Sequence, residues 1–296
     1  MKIVDPSAEI IEKELAGLSV CQRIDRAASV CYQRPPKLTE EEAEKFCRHL
    51  IKRGHLPALE FATIHLAMPF WDSLDYREEK YLHVSTAPSN QAGIVSGSIR
   101  AFMEALGNED HSVFEFLSHH FPIFFRPEDP EEFDGTDFVS DINFATDEIP
   151  WQHKHAAVRV ICSRAISHQL VRHRPCSFLQ ESQRYCRYDD EVTFIRPVWA
   201  NESTAMEIGF ENDCADISAM YRIRRNDRGL SPQQARGVLS ADTKTELIIY
   251  ASLPEWLHIF KMRCDKAADP EMRRIMVPLR EQFRAEYPEM WEGEVA

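Results

Sequence analysis

Glycine is scarce in this chain of 296 residues, which contains only ten. That number excludes a collagen and a glycine-rich low-complexity protein. The sequence also lacks a glycine-rich phosphate loop, so a Rossmann or P-loop nucleotide site has no support. No apolar run approaches the roughly 18 residues that span a bilayer, and the first residues lack the apolar stretch of a secretory signal. We therefore expect a cytoplasmic protein with no membrane partner.

Positive charge is also in short supply. The chain has 35 Lys and Arg against 48 Asp and Glu, a formal net charge of −13. Such an acidic protein is a poor candidate for non-specific binding to a nucleic-acid backbone, and we predict no nucleic-acid partner. Hydrophobic residues make up 44% and charged residues 28% of the chain, which is ordinary for a globular protein and excludes wholesale disorder.

Paired cysteines are absent. None of the eight cysteines belongs to a Cys-x-x-Cys pair, which argues against a zinc ribbon and against a disulfide framework. We expect reduced thiols, with Cys176 and Cys186 chemically inert. His153 and His155 lack the helical spacing and the acidic partner of a hydrolytic metal motif, so no metal site is predicted.

The clearest helix signal covers residues 39–54. Thr39 and Glu42 form a capping box, an apolar stripe follows at helical spacing, and Gly54 suits the left-handed stop. Further strands are predicted at 59–68, 156–162, 191–195 and 248–252, and further helices at 89–106, 163–172, 203–225 and 232–239 and from Pro254 and Pro270. Strands separated by helices of unequal length predict a mixed α+β fold and not a regular βαβ series.

Residues 127–150 differ in composition from the rest of the chain. They hold nine acidic residues and no basic one, and Pro127, Pro130 and Gly135 break regular structure. A solvated loop or an insertion is the simplest interpretation, because a run of like charge is usually a wet surface. A metal site in this stretch is the alternative.

Arginine is concentrated in two windows. Residues 159–187 contain six arginines against the single acid Glu181, and residues 217–236 contain five against Asp227. The planar guanidinium suits bidentate recognition of phosphate or carboxylate. Serines and glutamines alternate with the arginines of the first window, a mixture that a nucleotide phosphate and base edge would need. The alternative for both windows is an ordinary exposed helix face.

Within the first window, Arg172-His173-Arg174 is followed by seven residues, then Ser182, Arg184 and Tyr185. This pattern resembles the signature of the flavin-dependent thymidylate synthases. Weaker likeness extends over residues 40–70 and 155–285. The resemblance implies a single domain over 1–296 with an acidic insertion around 71–150, built as a mixed or antiparallel sheet flanked by helices.

The same resemblance implies an activity. Members of the family are methyltransferases that make dTMP from dUMP, with methylenetetrahydrofolate as the carbon donor. FAD carries the hydride and NADPH is the reductant. The family assembles as a homotetramer in which the subunits share sites. We therefore expect dUMP, a folate and a nicotinamide reductant as partners of this chain.

Residue roles follow from the matching positions. By the resemblance, the flavin is held by Arg172, His173, Arg174 and His258. The nucleotide is held by Gln169, Gln180, Glu181, Ser182, Gln183, Arg184, Arg236 and Arg263, of which Ser182, Arg184 and Arg263 are the catalytic set. A serine hydroxyl is too weakly acidic to attack unaided, and only Glu181 stands beside Ser182, so we expect Ser182 to position the nucleotide.

Three positions depart from the family pattern. Phe61 stands where the family has a histidine, Leu179-Gln180 replaces Asn-Glu, and His258 replaces an asparagine near the flavin. These changes leave the phosphate-binding arginines intact and affect the flavin and folate region. Two alternatives follow: a scaffold that delivers another group to C5, such as hydroxymethyl, or a catalytically silent flavin- or nucleotide-binding homologue.

Overall fold

The computed structural model describes residues 1–37, 39–86, 92–106, 112–125, 142–145 and 149–292. Within these residues the strands are β1 Lys2–Val4, β2 Ser7–Ile10, β3 Thr63–Pro69, β4 His83–Thr86, β5 Ala92–Ser98, β6 Asn143–Phe144, β7 His155–Ser163, β8 Ser177–Gln180, β9 Thr193–Ile195 and β10 Lys244–Ser252. The helices are α1 Glu12–Leu15, α2 Val20–Ser29, α3 Glu40–Lys52, α4 Phe70–Ser73, α5 Ile99–Leu106, α6 Ser112–His120, α7 Arg164–Leu170, α8 Thr204–Arg222, α9 Pro232–Ala235, α10 Leu253–Arg263 and α11 Pro270–Glu286.

The chain divides into two compact units. The first consists of residues 1–16, 28–35 and 156–296, and the second of residues 17–27 and 36–155. The interpretation of residues 1–296 as a single domain with an insertion around 71–150 stays a prediction. Most of the acidic stretch 127–150 lies outside the described residues.

In the first unit, one sheet has the strand order β2-β7-β10-β8. Strand β2 pairs antiparallel with β7, and β8 pairs antiparallel with β10. A separate pair, β1 with β9, is parallel. Helices α10 and α11 pack through Trp256, Phe260 and Phe283, with the Phe283 ring centroid 5.0 Å from each of the other two. Mixed strand pairing together with packed helices confirms the α+β class.

The second unit contains an antiparallel sheet with the order β4-β5-β3-β6. The helix predicted over residues 89–106 is wrong in its first half, since Ala92–Ser98 form β5 and only Ile99–Leu106 are helical. The segment is a strand because it pairs with β3 and β4, and Gly93 allows a close contact in that strand, since a Cβ there would lie 2.0 Å from Ser73 Oγ. Close backbone approach at a strand glycine is a tertiary requirement, and helical periodicity does not report it.

The predicted cap at Thr39 is present, and Glu42 reaches back to the Thr39 hydroxyl, which donates to its Oε2 over 3.3 Å. Thr39 Oγ1 accepts from the Glu42 backbone N–H at the start of α3, and Gly54 has a φ of +66° after its end. Ser163 Oγ accepts from the Ile166 backbone N–H and begins α7. The strand predicted at 59–68 starts later, at Thr63, because residues 56–61 form a 3₁₀ helix.

Candidate functional site

The signature residues occupy three successive pieces of the first unit. Helix α7 ends at Leu170, a turn carries residues 171–176, and β8 then pairs with β10. Strand β8 is not among the predicted elements, although it lies inside the signature. Its register places Gln180 opposite Leu247, and this pairing determines where the chain leaves the sheet toward Ser182.

Arg263 joins a residue of the predicted flavin set to one of the predicted nucleotide set. Its Nε donates to His173 Nε2 over 2.8 Å, and its Nη2 donates to the Gln169 carbonyl over 3.0 Å. Burial, the Arg263 charge and His258 together lower the pKa of His173 to about 4. Burial and the Arg172 charge lower the pKa of Arg263. At neutral pH the imidazole is therefore uncharged, and its Nε2 accepts from the guanidinium.

Gln169 also contributes its side chain, since its Nε2 donates to Asp269 Oδ2 over 2.8 Å. Asp269 caps α11 through the Glu271 backbone N–H. The predicted nucleotide residue Gln169 thus links α7, the start of α11 and, through its carbonyl, Arg263.

His258 lies beside His173, with ring centroids 6.1 Å apart. Glu255 completes a group with these two histidines, and one ligand atom from each lies within 4.8 Å of the others. Burial raises the pKa of Glu255. Glu255 is not among the site residues predicted from the sequence. The spacing of three between Glu255 and His258, in a helix whose start at Pro254 was predicted, could have indicated it.

Two residues of the predicted nucleotide set are engaged inside the protein. The Gln180 amide donates to Ser167 Oγ and Thr245 Oγ1 over 2.9 and 3.0 Å. Glu181, which is 3% exposed, accepts from the Tyr188 hydroxyl, from Lys244 Nζ and from the Glu246 backbone N–H. These bonds give both side chains a clear structural role.

The remaining nucleotide residues are more open. Ser182 Oγ accepts from the Arg184 backbone N–H over 3.3 Å. The exposed Arg184 side chain donates to Gln233 Oε1 over 3.0 Å, which brings it to α9, the helix directly before the exposed Arg236. Gln183 Nε2 is buried without a hydrogen-bond partner among the described residues.

The arginine windows divide into structural and exposed members. Arg159 pairs with Glu9, and Arg225 forms a bidentate pair with Asp189, so both are structural. Arg172 and Arg174 are exposed, like Arg184. Exposed arginines placed on one turn are free to meet an anionic ligand.

A cavity of about 440 Å³ lies beside the signature and is lined in part by Glu181, Tyr185, Arg187 and Lys244. Cys186 also lines it. Burial, with a contribution from Glu181, raises the pKa of the Cys186 thiol to about 11. Burial and the Glu255 charge raise that of Cys176 to about 12. Both thiols are therefore protonated at neutral pH, as expected for inert cysteines.

Residues 74–289 match the family described as thymidylate synthase complementing protein. The chain belongs to this family. It is also similar to two proteins named flavin-dependent thymidylate synthase. The one from Pyrococcus furiosus is 33% identical over 125 residues, which are 41% of this chain and 51% of the relative. The one from Geobacter sulfurreducens is 34% identical over 118 residues, 40% of this chain and 50% of the relative.

The chain spans about half the length of these curated relatives. A solved structure, thymidylate synthase X from Helicobacter pylori with FAD and dUMP, is similar at 18% identity with a TM-score of 0.38. That similarity covers 48% of this chain and 73% of the other. Within the described residues, no helix has both the length and the apolarity to cross a membrane.

Proposed function

We propose that the protein catalyses flavin-dependent transfer of a one-carbon unit from methylenetetrahydrofolate to C5 of dUMP, giving dTMP. FAD is the proposed cofactor and NADPH the proposed reductant, in a cytoplasmic homotetramer. The observation that carries the proposal is the contact of Arg263 with both His173 and Gln169. It joins the two residue sets that a reaction between a flavin and a nucleotide would require to be adjacent.

The residues around His173 fit a flavin. The neutral imidazole and the exposed guanidinium groups of Arg172 and Arg174 offer donors. Glu255 Oε1, which is buried and has no hydrogen-bond partner among the described residues, offers an acceptor. The polar edge of an isoalloxazine ring and a diphosphate need both kinds of group. When bound, the flavin would supply the hydride chemistry, while the protein aligns the reactants and neutralises charge.

The nucleotide would be held mainly by guanidinium groups. Arg184 and Arg236 are exposed and flank the short helix α9, where they could bind a phosphate. Arg263 stands at the boundary with the flavin residues and would stabilise negative charge that develops on the uracil carbonyls. The unpartnered amide of Gln183 adds a donor on the same segment.

Ser182 would position the nucleotide. Its Oγ accepts from the Arg184 backbone N–H, and the neighbouring Glu181 carboxylate is occupied by Tyr188, Lys244 and Glu246. A serine nucleophile needs an adjacent base that takes its proton, and Glu181 is not available as one. We therefore expect Ser182→Ala to leave partial activity in a single-turnover assay.

The test is product identification by mass spectrometry after incubation of the purified protein with dUMP, methylenetetrahydrofolate, FAD and NADPH. Methylated nucleotide at the mass of dTMP is the expected result. A protein that binds neither FAD nor dUMP under these conditions would refute the proposal.

The departures at Phe61, Gln180 and His258 favour testing one second candidate, the delivery of hydroxymethyl or another group to C5. The same mass measurement separates the two, because a hydroxymethyl product is heavier by one oxygen. A silent binding protein would shift its flavin spectrum with dUMP and release no tritium from C5-labelled dUMP. Robust tritium release excludes it.

A further inference from the structure

Glu255 lies in the first turn of α10 with one carboxylate oxygen buried and unsatisfied. Its backbone N–H is bound by Ser252 Oγ, but Oε1 has no hydrogen-bond partner in the part of the chain that the structure describes. Buried polar atoms in folded proteins are nearly always hydrogen-bonded, and an exception needs an explanation. The burial that raises the pKa of this carboxyl agrees with such an unmet need.

The groups around Glu255 indicate that its unsatisfied oxygen binds a ligand. His173 and His258 each place a ring nitrogen within 4.8 Å of the carboxylate. The Glu255 charge also raises the pKa of Cys176, which places the carboxylate near the turn that follows Arg174. Three side chains from α10 and from the signature turn thus converge on one small region.

Two histidines and a carboxylate would also suit a divalent transition metal. The electrostatics oppose that occupant. Arg263 already donates to His173 Nε2, and the Arg172 charge lowers the pKa of Arg263. A divalent cation would add charge of the same sign beside two guanidinium groups and would displace the Arg263 bond. A ligand with a neutral N–H or O–H donor satisfies Glu255 without that repulsion.

We propose that Glu255 is a positioning residue for the flavin, and that its buried Oε1 accepts a hydrogen bond from an N–H or O–H group of that cofactor. The inference rests on the proposed function in taking a flavin as the ligand. It adds a cofactor contact from a carboxylate that the signature does not contain.

The experiment measures FAD affinity by flavin fluorescence for the full chain and for three variants at one position. Glu255→Leu removes the acceptor and should weaken FAD binding at least tenfold. Glu255→Asp withdraws the oxygen by one methylene and should weaken it by a similar factor. Glu255→Gln keeps an acceptor oxygen and should stay within about threefold of the wild type. The matched control is Glu281→Leu on α11, at a side chain that is 55% exposed, and it should leave FAD affinity unchanged.

Thermal unfolding without flavin separates this role from a structural one. A glutamate in a first turn also interacts with the helix dipole, and that role would lower the Tm of Glu255→Gln and Glu255→Leu alike and leave FAD affinity unchanged. Wild-type affinity in Glu255→Leu, or in Glu255→Asp if the leucine variant does not fold, overturns the inference. If those proteins still make product, the proposed function stands.

Two further outcomes would also count against the inference. Equal loss in Glu255→Gln and Glu255→Leu would show that charge matters and not the acceptor. A wild-type chain that binds no FAD, but shows cobalt absorption bands with Co²⁺ that Glu255→Leu lacks, would make this a metal site. That result would overturn both the inference and the proposed function.

Discussion

Two regions of this protein contain buried histidines, and they differ in how completely those histidines are satisfied. In the first unit, His173 accepts from Arg263 and lies near Glu255 Oε1, which has no hydrogen-bond partner within the described part of the chain. In the second unit, His153 is fully buried, and both of its ring nitrogens have serine partners. Ser85 Oγ lies 2.6 Å from Nε2 and Ser96 Oγ lies 2.8 Å from Nδ1.

The second region extends over several strands. Ser96 Oγ also lies 2.8 Å from His65 Nδ1, and His155 Nδ1 lies 2.9 Å from the His153 carbonyl. Burial, followed by the neighbouring histidines His83, His65 and His155, lowers the pKa of His153 to about 3. The His153 cluster satisfies its own members and stabilises the fold, whereas the buried Glu255 Oε1, without a partner among the described residues, is open to a ligand contact.

The largest expected effect is on the stability of the protein and comes from the His153 cluster of the second unit. His153→Ala should lower the free energy of unfolding by roughly 3–4 kcal/mol, because it removes two buried hydrogen bonds and leaves a cavity. His173→Ala should cost less, about 1.5–3 kcal/mol, since one charge-assisted bond from Arg263 is lost. Urea denaturation followed by circular dichroism measures both. Equal losses would remove the distinction between the regions.

The next largest effect is on dUMP binding by the exposed residues of the first unit. Arg184→Ala should weaken dUMP binding by about 1.5–3 kcal/mol, the usual loss for a charge-assisted contact. Arg225→Ala is the control, because that arginine is committed to Asp189. It should reduce stability and leave the dUMP affinity of the folded protein unchanged. Calorimetric titration with dUMP decides, and unaltered affinity in Arg184→Ala would show that this arginine is wrongly assigned.

The pH dependence of stability should be set by the histidines of the second unit. Unfolded histidines titrate near pH 6.5, whereas burial lowers the pKa of His65 and of His155 to about 4 and that of His153 further. The unfolded chain therefore binds more protons, and stability is complete above about pH 6.5 and falls as the pH drops toward 4 and 3. At pH 5, His153 alone should cost about 2 kcal/mol.

Chemical denaturation at pH 7.5 and pH 5 measures this effect. His153→Phe should reduce the difference by about 2 kcal/mol, since the phenyl ring takes up no proton, while His65 and His155 keep their share. If the variant keeps the full pH dependence of the wild type, the titration belongs to other groups.

The smallest effect compares one helix cap in each unit. Ser163→Ala and Thr39→Ala should each cost about 1 kcal/mol, because each removes the acceptor for a first-turn N–H. Only Ser163→Ala should also weaken dUMP binding, since α7 leads directly into the signature turn. A matching loss in Thr39→Ala would contradict this assignment of the site to the first unit.

Rules that act over a few residues predicted much of the local structure. The cap at Thr39 and the helix that begins at Pro270 form as predicted, because each depends on residues within a few positions of one another. The spacing from Arg172 to Tyr185 indicated the family, and the match over residues 74–289 confirms it. Family signatures survive in sequence because they are short and contiguous.

Only the tertiary structure decided the rest. Strand β5 formed where a helix was predicted because it pairs with β3 and β4. Glu181 became internal because Lys244 and Glu246, distant in sequence, come to it. Glu255 and the His153 network likewise depend on which strands and helices become neighbours. Whether a buried polar group is hydrogen-bonded depends on its neighbours in three dimensions. The periodicity of the sequence does not specify which residues those neighbours are.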